Sequence, residues 1–228
     1  MKIKWMMMTA AVLASAVTAS AAIMTSDTFT GTALSAQWTA YPGGGNSPVT
    51  VAGGKLNTTI SSLDGTYNNS FVKSSPGYTL PSGNFLVQID QTKGVASGWW
   101  QGCFLEVDLD GKAYQLRQEW QDGSNWPVHT VGAYSSGVTS LTYQNMQFKI
   151  VREATTLSFY AKSLAGTDWT TIGFTTVGTG DATVLLGVYN SVGNSVTSSW
   201  DNFIVAIPEP ASLGLLALGG VVLFRRRR

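Results

Sequence analysis

The residues with the densest chemical potential are Glu106-Val107-Asp108-Leu109-Asp110. On an extended strand, carboxylates at i, i+2 and i+4 project from one face. Two carboxylates about 5–5.5 Å apart supply the nucleophile and the acid/base of a retaining glycosidase. The last of the three has a competing role, because Asp110-Gly111 is a hairpin turn signal. In a turn Asp110 leaves the strand face. The expectation is two solvent-face carboxylates plus a turn aspartate.

Aromatic residues surround the same stretch. Trp99, Trp100 and Trp126 are flanked by Gly, Gln, Asn and Pro. With Glu106, Gln115 and Arg117, Trp100 and Trp126 would make a sugar-binding surface. Rings stack on sugar C–H faces, while carboxylate, amide and guanidinium groups exchange hydrogen bonds with hydroxyls. Trp38, Trp120 and Trp200 read instead as core. His129 and Cys103 are the single histidine and the single cysteine. One of each gives no Ser-His-Asp arrangement with a placed nucleophile and no His/Cys metal cluster. His129 reads as a strand residue on a polar face, and Cys103 as a small buried hydrophobe. Scattered Asp and Asn leave a calcium site open, with no ligands to name; no other cofactor is implied.

A hairpin must position the carboxylates. A two-residue turn at Asp110-Gly111 pairs Leu109 with Lys112, Val107 with Tyr114 and Leu105 with Leu116 on a core face. Phe104/Arg117, Glu106/Gln115 and Asp108/Ala113 then fall on the opposite, polar face. Elsewhere, short alternating runs broken by Gly, Asn, Asp and Ser recur without a 3.6-residue period. Thirteen candidate strands emerge, including 27–30, 49–52, 84–93, 102–109, 112–120, 128–134, 156–163, 170–176 and 199–206. The fold class is all-β, a two-sheet antiparallel sandwich.

The ends of the chain carry addresses. Lys2 and Lys4, an apolar stretch over 5–17 and Ala19-Ser20-Ala21 form a signal-peptide pattern cut after Ala21. At the other end stand Pro208-Glu209-Pro210, an apolar run over 211–224, and Arg225, Arg226, Arg227 and Arg228. As a helix the run spans about 21 Å, short of a bilayer core of about 30 Å. Snorkelling arginines extend it and orient the basic end to the cytoplasm. The organisation is 1–21 signal peptide, 22–206 β-sandwich and 207–228 sorting and anchor segment with a short transmembrane helix. The middle segment holds eight basic and twelve acidic residues, a net charge of −4. That argues against nucleic acid as a partner.

The order Pro-Glu-Pro, apolar helix, arginine cluster resembles the PEP-CTERM sorting signal of Gram-negative bacteria. The resemblance implies that Pro208, Glu209 and Pro210 are recognised by an exosortase after signal peptidase has acted. It implies an inner-membrane stage, transient or retained, then delivery to the cell surface or exopolysaccharide matrix. A second resemblance rests on Asp27-Thr28-Phe29-Thr30-Gly31-Thr32, Val51-Ala52-Gly53-Gly54-Lys55-Leu56, Asp110-Gly111-Lys112-Ala113-Tyr114, Lys149-Ile150-Val151-Arg152-Glu153 and Trp200-Asp201-Asn202-Phe203. Together they look like concanavalin A-like, laminin-G-type domains. These are jelly-roll sandwiches that often bind carbohydrate and whose terminal strands pair. The Glu106–Asp110 run also resembles the Glu-x-Asp-x-Glu signature of laminarinase-type hydrolases, departing at Asp110. The leading expectation is a noncatalytic surface or matrix module that binds a glycan. A hydrolase using Glu106 with Asp108 or Asp110, and a structural protein without ligand, are the alternatives.

Overall fold

The computed structural model describes residues 22–43, 47–61, 68–80, 82–93, 101–121, 124–131, 134–136, 144–190 and 195–207, with backbone alone at 22–25, 93, 120–121, 124–126 and 134–136. Residues 1–21, expected as a signal peptide, and 208–228 of the expected sorting segment, with Pro208–Pro210 and Arg225–Arg228, lie outside the described residues, as do Trp99 and Trp100. Among the described residues no helix is long and apolar enough to cross a membrane.

Residues Ala22–Ile207 form one compact unit, whose described residues make fifteen strands, numbered in chain order. An eight-stranded sheet runs β13 (Thr170–Thr176), β12 (Thr156–Ser163), β11 (Asn145–Glu153), β6 (Phe85–Lys93), β15 (Val196–Ile207), β4 (Lys55–Ile60) and β3 (Val49–Ala52), with β1 (Ala22–Asp27) also on β15. A seven-stranded sheet runs β10 (Tyr134–Ser136), β9 (Ser124–Val131), β8 (Lys112–Gln121), β7 (Gln101–Leu109), β14 (Ala182–Asn190), β5 (Asn68–Ser74) and β2 (Trp38–Tyr41). Every pairing between them is antiparallel. The architecture is an all-β sandwich.

Period-2 alternation decides which face each strand buries. In β11, Met146, Phe148, Ile150 and Arg152 are buried while Gln147, Lys149 and Val151 turn outward. Leu56, Ile89, Phe148 and Phe159 of one sheet meet Leu105, Leu116, Leu186 and Val188 of the other in a single apolar core. Trp38 and Trp200 are in that core, Trp200 donating from Nε1 to Thr58 Oγ1 at 3.0 Å. Cys103 is fully buried beside Gln118.

The terminal strands pair, Asp27 opposite Phe203. The first strand nevertheless ends at Asp27 instead of starting there. The reason is the Asp27 carboxylate: Oδ1 accepts from the Phe29 amide at 2.7 Å. Oδ2 accepts from Ser35 Oγ at 2.8 Å and from Gln37 Nε2 and Trp38 Nε1, each at 3.1 Å. An aspartate that bonds the amide two residues on turns the chain. Phe29 takes φ 49° and drops into the core against Trp38. At the far end, β15 carries a bulge with Asn202 at φ 51°. The bulge bends β15, which pairs β4 through Val196–Trp200 and β1 through Phe203–Ile207. The strand expected over 128–134 is two strands, because the chain doubles back and Tyr134 pairs with Val131.

His129 is a correction. It faces the core, 7% exposed, with its ring stacked on Phe159 at 5.1 Å. The β8–β9 register sets it opposite Leu116, a core residue, so the polar face is the other one. Gly173 makes the room, since a Cβ there would overlap the imidazole. Burial holds the His129 pKa below its ordinary value.

Arg152 is fully buried. It donates from Nη2 to Gly178 O at 2.7 Å, from Nη1 to Gly180 O at 2.8 Å and from Nε to Ala154 O at 3.3 Å. The bend that Gly178 and Gly180 belong to leads into β14.

Candidate functional site

The β7–β8 hairpin carries the sequence-derived candidates. Asp110 and Gly111 have φ 54° and 71°, positive at both central positions as the two-residue hairpin turn requires. That turn sets Leu109 opposite Lys112, Val107 opposite Tyr114 and Leu105 opposite Leu116. Glu106 and Gln115 are therefore cross-strand partners on the face turned away from the intersheet core, and so are Phe104 and Arg117. Asp110 stands in the turn, so the strand face keeps two carboxylates, Glu106 and Asp108.

Glu106, Gln115 and Arg117 form one hydrogen-bonded row. Gln115 Nε2 donates to Glu106 Oε2, and Arg117 Nε donates to Gln115 Oε1. Thr130 Oγ1 donates to the same Gln115 oxygen at 3.3 Å. Arg117 Nη1 reaches Glu119 Oε1 at 3.5 Å, and its guanidinium lies 4.9 Å over the Tyr189 ring. Beside the row, Lys73 Nζ pairs with Asp108 Oδ2 at 3.4 Å.

This face is not freely solvated. Glu106 is only 8% exposed, and Phe104, Leu185 and Tyr189 form a second buried apolar cluster with Phe71 against it. Two glycines pave it. A Cβ on Gly187 would meet the Phe104 ring at 2.8 Å, and one on Gly102 would meet the Tyr189 ring at 2.9 Å. Farther along, Tyr41 stacks on Phe71 at 5.0 Å. Burial pushes the Glu106 carboxyl up from its ordinary pKa; the Gln115 hydrogen bond opposes this, Asp108 reinforces it, and Arg117 and Lys73 oppose it in turn. Burial likewise pushes the Tyr189 hydroxyl well up.

Of the six sugar-site candidates, the structure brings three together. Trp126 is in β9, opposite Glu119 in the register, and its side chain lies outside the described residues. Trp99 and Trp100 also lie outside them. Sequence reading missed Lys73, Phe71, Glu119, Thr130 and Tyr189. The available signal was the pair of glycines, Gly102 and Gly187, inside strand patterns, where glycine often marks a close approach. Among the described residues no group of three or more His, Cys, Asp or Glu side chains converges as metal ligands.

Solved structures share the β-sandwich fold at low sequence identity. One is a Bacteroides ovatus protein titled xyloglucan PUL GH43B, with TM-score 0.60 and 16% identity over 80% of this chain and 39% of that one. A second is the CBM2 module of the evolved Dit of Lactobacillus casei BL23 phage J-1, with TM-score 0.60 and 13% identity over 82% and 96%. A third comes from work on endo-acting O-glycanases of human gut microbiota, with TM-score 0.57 and 14% identity over 82% and 99%. The chain spans about two fifths of the length of the first of these. No curated protein matches the sequence. Residues 206–228 match the PEP-CTERM protein-sorting motif.

Proposed function

We propose that the chain is an exported, exosortase-sorted surface or matrix protein whose sandwich is a noncatalytic glycan-binding module. The address rests on the match at residues 206–228 together with the signal-peptide pattern at 1–21. In this reading the connectivity is a jelly roll, and the C-terminal helix anchors the chain in the inner membrane until cleavage near Pro208-Glu209-Pro210. The glycan lies on the outer face of the seven-stranded sheet. The observation that carries this placement is the Glu106–Gln115–Arg117 row set among Phe71, Phe104 and Tyr189. It offers hydrogen-bonding groups beside aromatic area, the combination that sugar rings require. Trp100 and Trp126 are added from the sequence reading; Trp100 and the Trp126 side chain lie outside the described residues. The glycan-associated proteins of similar fold support it by analogy of fold alone.

A glycan array probed with the exported protein tests the reading. Binding that falls at least tenfold in Trp126→Ala or Arg117→Met supports it; no binding at millimolar sugar refutes it. Mass spectrometry of the surface-located protein tests the address, and an intact Arg228 there would overturn cleavage.

One observation favours a hydrolase instead. Glu106, with its carboxyl pushed toward the neutral form, stands two residues from Asp108 on the same face. A carboxyl shifted toward its neutral form near a second carboxyl is a pairing glycoside hydrolysis uses. Against it, Asp108 is paired with Lys73, and Asp110 is in the turn. Sugar release from a β-glucan panel, lost in Glu106→Gln, would establish the enzyme.

A further inference from the structure

The outer face of the eight-stranded sheet carries a different cluster. Lys149 faces Tyr160 across β11 and β12, and Gln147 faces Lys162. Their neighbours Phe148, Ile150, Phe159 and Ala161 fill the core, so these four side chains turn away from it. Lys149 Nζ stands 4.0 Å from the centroid of Trp169 and 4.7 Å from that of Tyr160. Lys162 Nζ stands 5.1 Å from the same Trp169 ring and donates to Gly166 O at 3.1 Å. One indole thus holds two ammonium groups.

Neither lysine has a carboxylate partner among the described residues; the ion pairs there are Lys73–Asp108 and Arg117–Glu119. The closest acidic candidate across the register, Asp90, is committed to Gln147 Nε2 at 2.6 Å and Asn202 Nδ2 at 2.8 Å. Asp168 is exposed and accepts from Thr167. Two like charges are therefore gathered on one ring without neutralisation. Burial first, and the Lys162 charge after it, lower the Lys149 pKa, so this ammonium is both desolvated and set beside a like charge. An anion relieves that.

We infer that Lys149, Lys162, Tyr160 and Trp169 form a binding surface for an acidic polysaccharide, a chain of sugar rings bearing carboxylates. Cation–π contacts are individually weak. Charge-assisted hydrogen bonds to a carboxylate are stronger and shorter than neutral ones. A uronate carboxylate therefore draws the ammonium groups off the indole, and the freed ring face takes the C–H face of the sugar. The aromatic rings position the lysines without an acidic partner, where a protein carboxylate would compete with the ligand. Phe174, 72% exposed in β13 opposite Ser158, extends the apolar part of the same face. A nucleic acid fits less well: it needs a longer basic track than two lysines, and the segment carries net negative charge.

This site is on the other sheet from the Glu106 row, so the two readings fail independently. The test is binding of polygalacturonate by the full chain in its exported form, with amylose as the neutral probe. Polygalacturonate should bind, weaken with salt, and lose at least tenfold in affinity in Lys149→Met/Lys162→Met. The melting temperature and any amylose binding should stay unchanged. Lys162→Ala alone, at a half-buried position, should lose severalfold and serves as the readout should the double variant unfold. No polygalacturonate binding by the wild-type chain at millimolar uronate overturns the proposal. So does binding that survives both substitutions. A single-stranded oligonucleotide that competes as well as polygalacturonate overturns the saccharide assignment.

Discussion

Replacing Arg152 with Met removes the only charge in the described structure that is fully buried. Its guanidinium makes three hydrogen bonds to backbone carbonyls, those of Ala154, Gly178 and Gly180, and has no carboxylate partner among the described residues. Hydrogen bonds to charged groups contribute about 1.5–3 kcal/mol each. Three would suggest more than about 5 kcal/mol, but two effects reduce the net loss. Methionine avoids the several kcal/mol that desolvating an ion costs, and it refills much of the volume over Phe85, whose ring lies 5.7 Å from the guanidinium. Gly180 is partly exposed, so its carbonyl can regain water. The net loss is then about 2–4 kcal/mol, and the melting temperature of a domain this size falls roughly 5–15 °C. Arg152→Lys should not rescue it, because one compact ammonium cannot span the Gly178 and Gly180 carbonyls as a planar fork does. Urea unfolding of both variants, monitored by tryptophan fluorescence, measures the loss. An Arg152→Met variant within about 0.5 kcal/mol of wild type would refute the reasoning. The consequence extends to the hairpin tip, since Gly178 and Gly180 also lie against the Asp110 carboxylate.

Three further outcomes follow from the geometry. Because the folded pKa of Glu106 is raised, its ionisation opposes folding: the group's contribution is full below the ordinary carboxylate pKa and is lost as pH rises through the folded value. Glu106→Gln keeps the shape without the charge, so its urea midpoint should gain on wild type between pH 4 and pH 7; a pH-independent difference would count against burial as the cause. Asp27→Ala strips four acceptor contacts, among them those to Gln37 and the Trp38 indole, which are buried. It should cost about 2–4 kcal/mol in the same assay, and a loss below about 1 kcal/mol would show that the 27–38 segment holds without it. Gly173→Ala drives a methyl into the His129 ring and should destabilise by about 1–3 kcal/mol; the double variant with His129→Ala should recover part of that in a double-mutant cycle.

How much of this could be read from sequence depends on whether one turn or many contacts decide it. The hairpin register was legible because Asp110-Gly111 fixes it locally, and every later pair follows from period 2. That register also placed Glu106, Gln115 and Arg117 on one face. The burial of that face was not legible. It depends on β14 pairing with β7, which brings Tyr189 over Gly102 and Gly187 under Phe104 from about eighty residues away. Nothing local to Glu106 marks it as covered. The start of β1 was misplaced for a related reason: Asp27-Thr28-Phe29 alternates like a strand, and the Phe29 amide together with the donors from Ser35, Gln37 and Trp38 makes Asp27 a terminator.

The placement of positive charge bears on the proposed binding of an acidic polysaccharide. A segment with net charge −4 is repelled by an acidic polymer at long range, so adhesion needs local cations that are not already neutralised. Lys73 and Arg117 are paired with Asp108 and Glu119, and Arg152 is sealed inside on carbonyls. Lys149 and Lys162 are held by aromatic rings instead, on one face and within reach of one indole. On the two proposals the sheets divide the work: the Glu106 face, with Lys73 and Arg117 already paired, would take neutral hydroxyls, and the Lys149 face would take carboxylates. If that division holds, raising salt should weaken polygalacturonate binding at the second face while leaving neutral-sugar binding at the first unchanged. Equal salt dependence of the two would mean that a single surface serves both.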